Sequence, residues 1–228
     1  MKQRYDLEVS IHYMMAVCGG IFGAYALFGR MAVFGSAQTA NLIELMGDIV
    51  GRNFGEAVLR VGALLIYGGS MVTATILAKK TKLPLKYTAL ILEAAVAVVL
   101  ACIPESVNPI IALYPAFFMT AFQWCVFTGA KGYASSTIFS TNNVKQTFVS
   151  ATEYFLSDDP EEKRKKAEKA KFFGGTLIAF HIGVAAEYAL YQMLHLQSIL
   201  IVAAPLTAAA VLLAAADGKI KSFCMDLT

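Results

Sequence analysis

Charge is what this sequence has least of. Of 228 residues, 19 are Lys or Arg and 16 are Asp or Glu, 15% together, while 57% are hydrophobic. An ordinary soluble domain is about 25% charged and about 45–50% apolar. The shortage argues against a soluble helical protein with an oily core, because such helices need polar outer faces. The motifs of soluble catalysis are missing too: there is no GxSxG, HExxH or paired-carboxylate pattern. No nucleotide-binding loop is present, so ATP hydrolysis by this chain is not expected. No CxxC or Cys/His spacing suggests a metal site, and Cys18, Cys102, Cys125 and Cys224 are too scattered for a disulfide framework. They read as small packing residues. No small-residue cleavage site follows the first apolar run, which therefore reads as a retained helix and not a signal peptide. Neither a cofactor nor a nucleic-acid partner is expected, and the chain does not read as an enzyme.

Long apolar runs take the place of these features. Six are long enough to span a bilayer, roughly 10–30, 55–78, 87–103, 109–130, 172–193 and 197–216. The segments 36–51 and 139–156 open with small and amide residues and turn amphipathic. They fit re-entrant or half-length helices. With the N-terminus inside, the segments 1–10, 79–86, 131–171 and 217–228 are cytoplasmic and carry sixteen of the 19 basic residues. Only Arg30, Arg52 and Arg60 fall elsewhere, so the positive-inside rule puts both termini in the cytoplasm. The charged stretch Asp158 to Lys171 reads as a solvated helical extension, capped by Asp158 or Asp159 and laced by Glu161–Lys165 and Glu162–Lys166 pairs.

A weak duplication organises the runs. Sliding the chain by 102 positions places Gln38-Thr39-Ala40-Asn41 on Ser140-Thr141-Asn142-Asn143, Glu44 on Gln146, and Gly19 and Gly23 on Ala121 and Cys125. Each half, 1–103 and 104–228, then reads long helix, short polar-headed helix, long helix, long helix, with 157–171 as a charged insertion in the second. Three crossings per half force the second copy to enter from the opposite side. The expected fold is an all-α integral membrane protein of six transmembrane helices and two half-helices, arranged as inverted repeats, a recurring plan of secondary transporters.

A helix that starts inside a membrane leaves its first amides without partners. Thr39 and Thr141 are candidate caps, and the remaining amides with the positive dipole end suit a negative charge or acceptor oxygens. The candidate substrate-binding set is Gln38, Thr39, Asn41, Glu44, Gln123, Trp124, Ser140, Thr141, Asn142, Asn143 and Gln146. Glu44, one turn beyond Asn41, is expected to face the pocket, while Arg30, Arg52 and Arg60 are expected to snorkel or to pair locally, Arg60 with Glu56 or Asp48. Glu93 and Glu187 are apolar-flanked carboxyls, and His181 reads as a satisfied structural histidine.

A long helix followed by Phe34, Thr39, Ala40 and Asn41, with Gln123 in a fourth helix and then Thr137, Thr141 and Asn142, resembles the YoaK-like family of small bacterial membrane proteins. The resemblance covers most of the chain, with Ala40 and Asn142 standing where that pattern has glycine. It implies a bacterial inner-membrane protein of a family catalogued as a domain of unknown function, and it names no substrate. The residues themselves favour a carrier or permease for a small polar or anionic solute, energised by a gradient. A channel is the close alternative. An intramembrane enzyme using Ser135 or Ser136 with His181 and a non-transporting scaffold are the others. The small faces at Gly19 and Gly23 would serve packing within a subunit or between the subunits of a homodimer.

Overall fold

The computed structural model describes residues 2–30 and 38–218; Phe34, Lys219, Lys221 and Cys224 lie outside them. The chain opens with α1 (Lys2–Ala24), which widens into a π-turn (Tyr25–Gly29). Three helices follow: α2 (Gln38–Val50), α3 (Phe54–Lys80) and α4 (Leu85–Cys102). The short α5 (Pro109–Ala112) bends at Leu113 into α6 (Tyr114–Val126). A hairpin of β1 (Gly129–Ala130) and β2 (Tyr133–Ala134) leads to α7 (Thr141–Leu156) and α8 (Pro160–Leu194). A 3-10 stretch (His195–Val202) and α9 (Ala203–Ala216) close the described chain.

Four stretches are long and apolar enough to cross a membrane: Asp6–Gly29, Phe54–Lys80, Leu85–Cys102 and Pro160–Ala216. The last, 57 residues, turns at His195, which has a φ of 50°, and its 3-10 stretch packs against α8. The outer surfaces of these helices are greasy. Val58, Leu65 and Val72 on α3 and Ile91 on α4 are 68%, 69%, 59% and 71% exposed. Water would penalise that continuous stripe, and lipid does not. This is a membrane protein built almost wholly of helices. The run 109–130 is not one helix as expected. It bends ahead of Pro115, which has no N–H to give, and it ends at Val126 before the hairpin.

Helix α1 is enclosed: Met15, Cys18, Ile21, Phe22 and Tyr25 are all buried. It crosses α8 where Gly20 meets the Phe180 carbonyl and Gly183 meets the Val17 carbonyl, an approach that a Cβ on either glycine would block. Cys102 and Cys125, expected as packing residues, lie on the outside.

Several contacts of α1 with α8 recur between α6 and α3. Tyr13 on α1 donates its hydroxyl to the Phe172 carbonyl at 3.3 Å and fills the space beside Gly175. Tyr114 on α6 donates to the Leu59 carbonyl at 2.9 Å and fills the space beside Gly62. One turn further on, Gly183 abuts the Val17 carbonyl, and Ser70 donates to the Phe118 carbonyl at 2.6 Å. Helix α9 packs on α1 as α4 packs on α6, and α2 lies on α3 as α7 lies on α8.

Arg30 is buried, not snorkelling. Its guanidinium donates to the carbonyls of Pro104 at 2.9 Å and Ile103 at 2.7 Å, and its Nε donates to the Tyr25 hydroxyl at 3.2 Å. The end of α4 otherwise leaves carbonyls without donors, and Arg30 supplies them. Arg52 stays exposed in a turn. The charged extension behaves as expected. Asp159 accepts from the amides of Glu161 and Glu162, and Lys165 pairs with Glu161 at 2.9 Å. Lys166 also bonds Glu153 of α7 at 2.8 Å, which holds that carboxyl below its ordinary range.

Candidate functional site

The non-helical chain between α6 and α7 is the part that most needs explaining. Lys131 and Gly132 have φ of 54° and 79°, which closes the two-residue hairpin turn. Beyond it, Ser135, Ser136, Thr137 and Ile138 are buried against α1, with the Thr137 carbonyl resting on Gly19. Irregular backbone inside a membrane protein must find its partners locally. The Ser136 hydroxyl accepts from the amides of Ile138 and Phe139, both at 3.2 Å. Asn143, on the first turn of α7, donates through Nδ2 to the carbonyls of Ser136 at 2.8 Å and Phe139 at 3.1 Å. Gln123 on α6 donates through Nε2 to the Met15 carbonyl at 2.9 Å and to the Thr137 hydroxyl at 3.1 Å.

This lattice fixes proton positions further along. Because both Nδ2 bonds of Asn143 go to carbonyls, its Oδ1 is the acceptor that faces Ser135 at 2.9 Å. Ser135 spends its one proton there, so its oxygen accepts from His12 Nε2 at 3.1 Å. His12 therefore carries its hydrogen on Nε2 and leaves Nδ1 bare, and Nδ1 is buried without a partner. The Phe172 ring stacks on the imidazole, centroids 5.3 Å apart. His12 forms part of the wall of a cavity of about 170 Å³, together with Glu8, Ile11, Lys86 and the segment Val126 to Gly129. A wider cleft of about 370 Å³ adjoins it along the hairpin. Deeper in the molecule, Gln123 Oε1 and both carboxyl oxygens of Glu93 are also buried without partners.

A second, smaller lattice joins α2 to α3. Asn41 is fully buried and donates to Gln38 Oε1 at 3.3 Å and the Arg60 carbonyl at 3.4 Å. The Arg60 side chain, 13% exposed, pairs with Glu44 at 2.5 Å and Asp48 at 2.7 Å. Glu44 is thus engaged in an ion pair with Arg60. Of Arg60's expected partners, Asp48 is found, and Glu56 instead accepts from Asn108 at 3.1 Å.

The sequence-derived set divides accordingly. Gln123 and Asn143 belong to the first lattice, and Gln38, Asn41 and Glu44 to the second. Ser140 holds the cap position of α7 without a side-chain cap bond, and Thr141, Asn142 and Thr39 are exposed. The Ser136 hydroxyl and the Asn143 side-chain amide instead hold together the loop that precedes α7. Gln146 is half-buried, and Trp124, 38% exposed, packs edge-on against Phe139 at 4.9 Å. Helix α2 packs on α3, and α7 on α8. His181 is exposed and bonded to the Leu177 carbonyl at 2.8 Å, away from Ser135 and Ser136. His12 was not singled out from the sequence. The signal available was a histidine two turns into an apolar helix, close to Glu8.

Among the described residues, no group of three or more His, Cys, Asp or Glu side chains is arranged to hold a metal. Residues 11–213 match the model of a family described as Protein of unknown function (DUF1275), to which the YoaK-like proteins also belong. No curated protein and no solved structure matches the chain.

Proposed function

We propose, for a chain that belongs to the DUF1275 family, that it is a carrier for a small polar or anionic solute, made of two inverted halves whose short helices border the solute path. The observation that carries this reading is the contact set that occurs twice. Tyr13 and Val17 correspond to Tyr114 and Phe118 at an offset of 101, and Asn41 to Asn143 at 102. Gly62 and Ser70 correspond to Gly175 and Gly183 at 113. The rise from 102 to 113 falls across the stretch that carries the charged insertion ahead of α8. The small step between the first two moves the Gly19 equivalence by one residue from the sequence-derived shift. A packing motif that recurs in three dimensions with its hydrogen bonds is much harder to obtain by chance than a short sequence match.

The halves are residues 1–103 and 104–228, and each crosses three times. In the first half the crossings are α1 with its π-turn, α3 and α4. In the second they are α5 with α6, α8, and the 3-10 stretch with α9. The basic residues set both termini on the cytoplasmic side of a bacterial inner membrane. Two buried asparagines in equivalent positions, Asn41 and Asn143, support paired polar regions approached from opposite faces. A hydrolytic reading fits less well. Ser135 donates to Asn143 and not to His12, and no third group orients His12 through Nδ1.

The test is counterflow in proteoliposomes loaded with small monocarboxylates, inorganic anions or uncharged polar solutes. A carrier gives saturable exchange for at least one class. Non-saturating conductance would convert the reading to a channel, and no flux for any class would sink transport altogether.

A further inference from the structure

Glu187, Ser198 and the His195 carbonyl form a chain of three oxygens at the turn between α8 and α9, and we propose that Glu187 there takes up and releases the proton that is coupled to solute movement. The coupling rests on the carrier reading, whereas the proton site stands without it.

The hydrogen count requires the proton. The Ser198 hydroxyl lies 2.6 Å from Glu187 Oε1 and 2.6 Å from the His195 carbonyl oxygen. Both distances are at the short end for hydroxyl hydrogen bonds, too short for one hydrogen shared between two acceptors. Two bonds need two hydrogens. Ser198 has one and the carbonyl has none, so the second belongs to the carboxyl. Glu187 therefore donates to Ser198, and Ser198 donates to the His195 carbonyl. Burial agrees with the count. Glu187 and Ser198 are each 1% exposed, and Glu187 Oε2 has no partner. A carboxylate there would hold an uncompensated charge away from water.

The groups around it do not supply that compensation. From the π-turn, Tyr25 comes within electrostatic reach of the carboxyl, but its hydroxyl is engaged with Arg30 and the Leu100 carbonyl. Arg30 itself is held by the Ile103 and Pro104 carbonyls. On α8, Tyr188 turns outward onto Phe28, and Tyr191 packs against the exposed His195 ring. From α1, Val17 and Gly20 face this part of α8, while His12 and Tyr13 meet it at Phe172, about four turns back. From α7, the Glu153–Lys166 pair lies about six turns away.

Losing the proton changes what Ser198 can do. Its single hydrogen turns to the carboxylate, the stronger acceptor, and the His195 carbonyl loses its hydroxyl donor. His195 has a φ of 50°, a backbone that a non-glycine residue keeps only where its neighbours hold it. The turn then opens and admits water to the carboxylate, and protonation reverses each step. The proton passes between Oε1 and solvent water, with no other covalent bond made or broken. In the orientation proposed above this turn faces the outside, where an inward proton gradient begins.

The experiment is infrared difference spectroscopy of the protein in proteoliposomes between about pH 5 and 9. Hydrogen exchange of the segment 194–200 is measured alongside and divided by its intrinsic rate at each pH. Wild type should show a protonated-carboxyl band that fades as the pH rises, while exchange of the segment increases. Glu187→Gln keeps the arrangement of the protonated state, because its amide donates to Ser198 and leaves Ser198 on the His195 carbonyl. It should lose that band and hold the segment closed at every pH. Any band from Glu93, also buried without partners, stays in Glu187→Gln and is thereby separated. Ser198→Ala should shift the Glu187 band and leave the segment open at every pH. The proposal is overturned if wild type and Glu187→Gln show the same bands, or if the Glu187 band persists across the whole range. An unshifted band in Ser198→Ala, or a segment that still opens with pH in Glu187→Gln, overturns it too. If Glu187→Gln does not fold, the wild-type series and Ser198→Ala still decide. Transport separates the two readings. Counterflow by Glu187→Gln with loss of accumulation under an imposed pH gradient supports the coupling. Accumulation retained there leaves the carrier standing and removes the coupling. A Glu187 band that titrates in a wild type that moves no solute keeps the proton site and removes the carrier.

Discussion

Arg30 shows what a single buried cation does when its partners are backbone. Its two charge-assisted bonds satisfy the carbonyls of Ile103 and Pro104, where α4 runs out of amide donors. A hydrogen bond to a charged group contributes about 1.5–3 kcal/mol. Arg30→Met should therefore cost several degrees in the thermal unfolding of the detergent-purified protein. Arg30→Lys, which keeps the charge but not the fork of donors, should fall in between. A melting temperature equal to wild type in Arg30→Met would show that water replaces the guanidinium. From the sequence Arg30 was a basic residue at a helix end, for which snorkelling is the ordinary expectation. The carbonyls that capture it lie more than seventy positions away and have no local signature.

Elements meet here through small residues, and the α1–α8 crossing is the tightest place. Gly20→Ala and Gly183→Ala each drive a Cβ into a carbonyl of the facing helix. Overpacking of this kind typically costs about 1–3 kcal/mol. Gly68→Ala and Gly69→Ala on α3 meet nothing within 4 Å and should be neutral or should gain up to about 1 kcal/mol from helix propensity. Melting curves of the four variants measure the contrast, and equal effects would mean that α1 and α8 are free to separate. The small-residue face of α1 was legible from Gly19 and Gly23, yet its use inside the subunit was not. The same spacing serves a contact within a chain or between chains.

At the scale of the whole molecule, the inverted arrangement proposed above would put the α2–α3 turn and the charged start of α8 on opposite sides of the membrane. In a background lacking the four native cysteines, Arg52→Cys should react with an impermeant maleimide in right-side-out vesicles. Lys165→Cys should react only in inverted ones. Labelling of both from one side would collapse the two-fold plan, because each half would then begin on the same face.

Hydrophobic runs and basic flanks, read along the chain, were enough to determine that this is a helical membrane protein, where most of its long helices lie, and that the charged extension starts at Asp158 or Asp159. Each of those depends on neighbours within a few turns: partition into lipid is summed over about 20 consecutive residues, and a cap acts over three. The tertiary structure alone decided which polar groups pair. It gave Glu44 to Arg60, set Ser136 and Asn143 to hold the loop ahead of α7, and joined His12 to Ser135 across 123 positions. A buried polar group takes whichever complementary atom the packed helices bring within about 3 Å, and that distance is a property of the fold and not of the sequence around it.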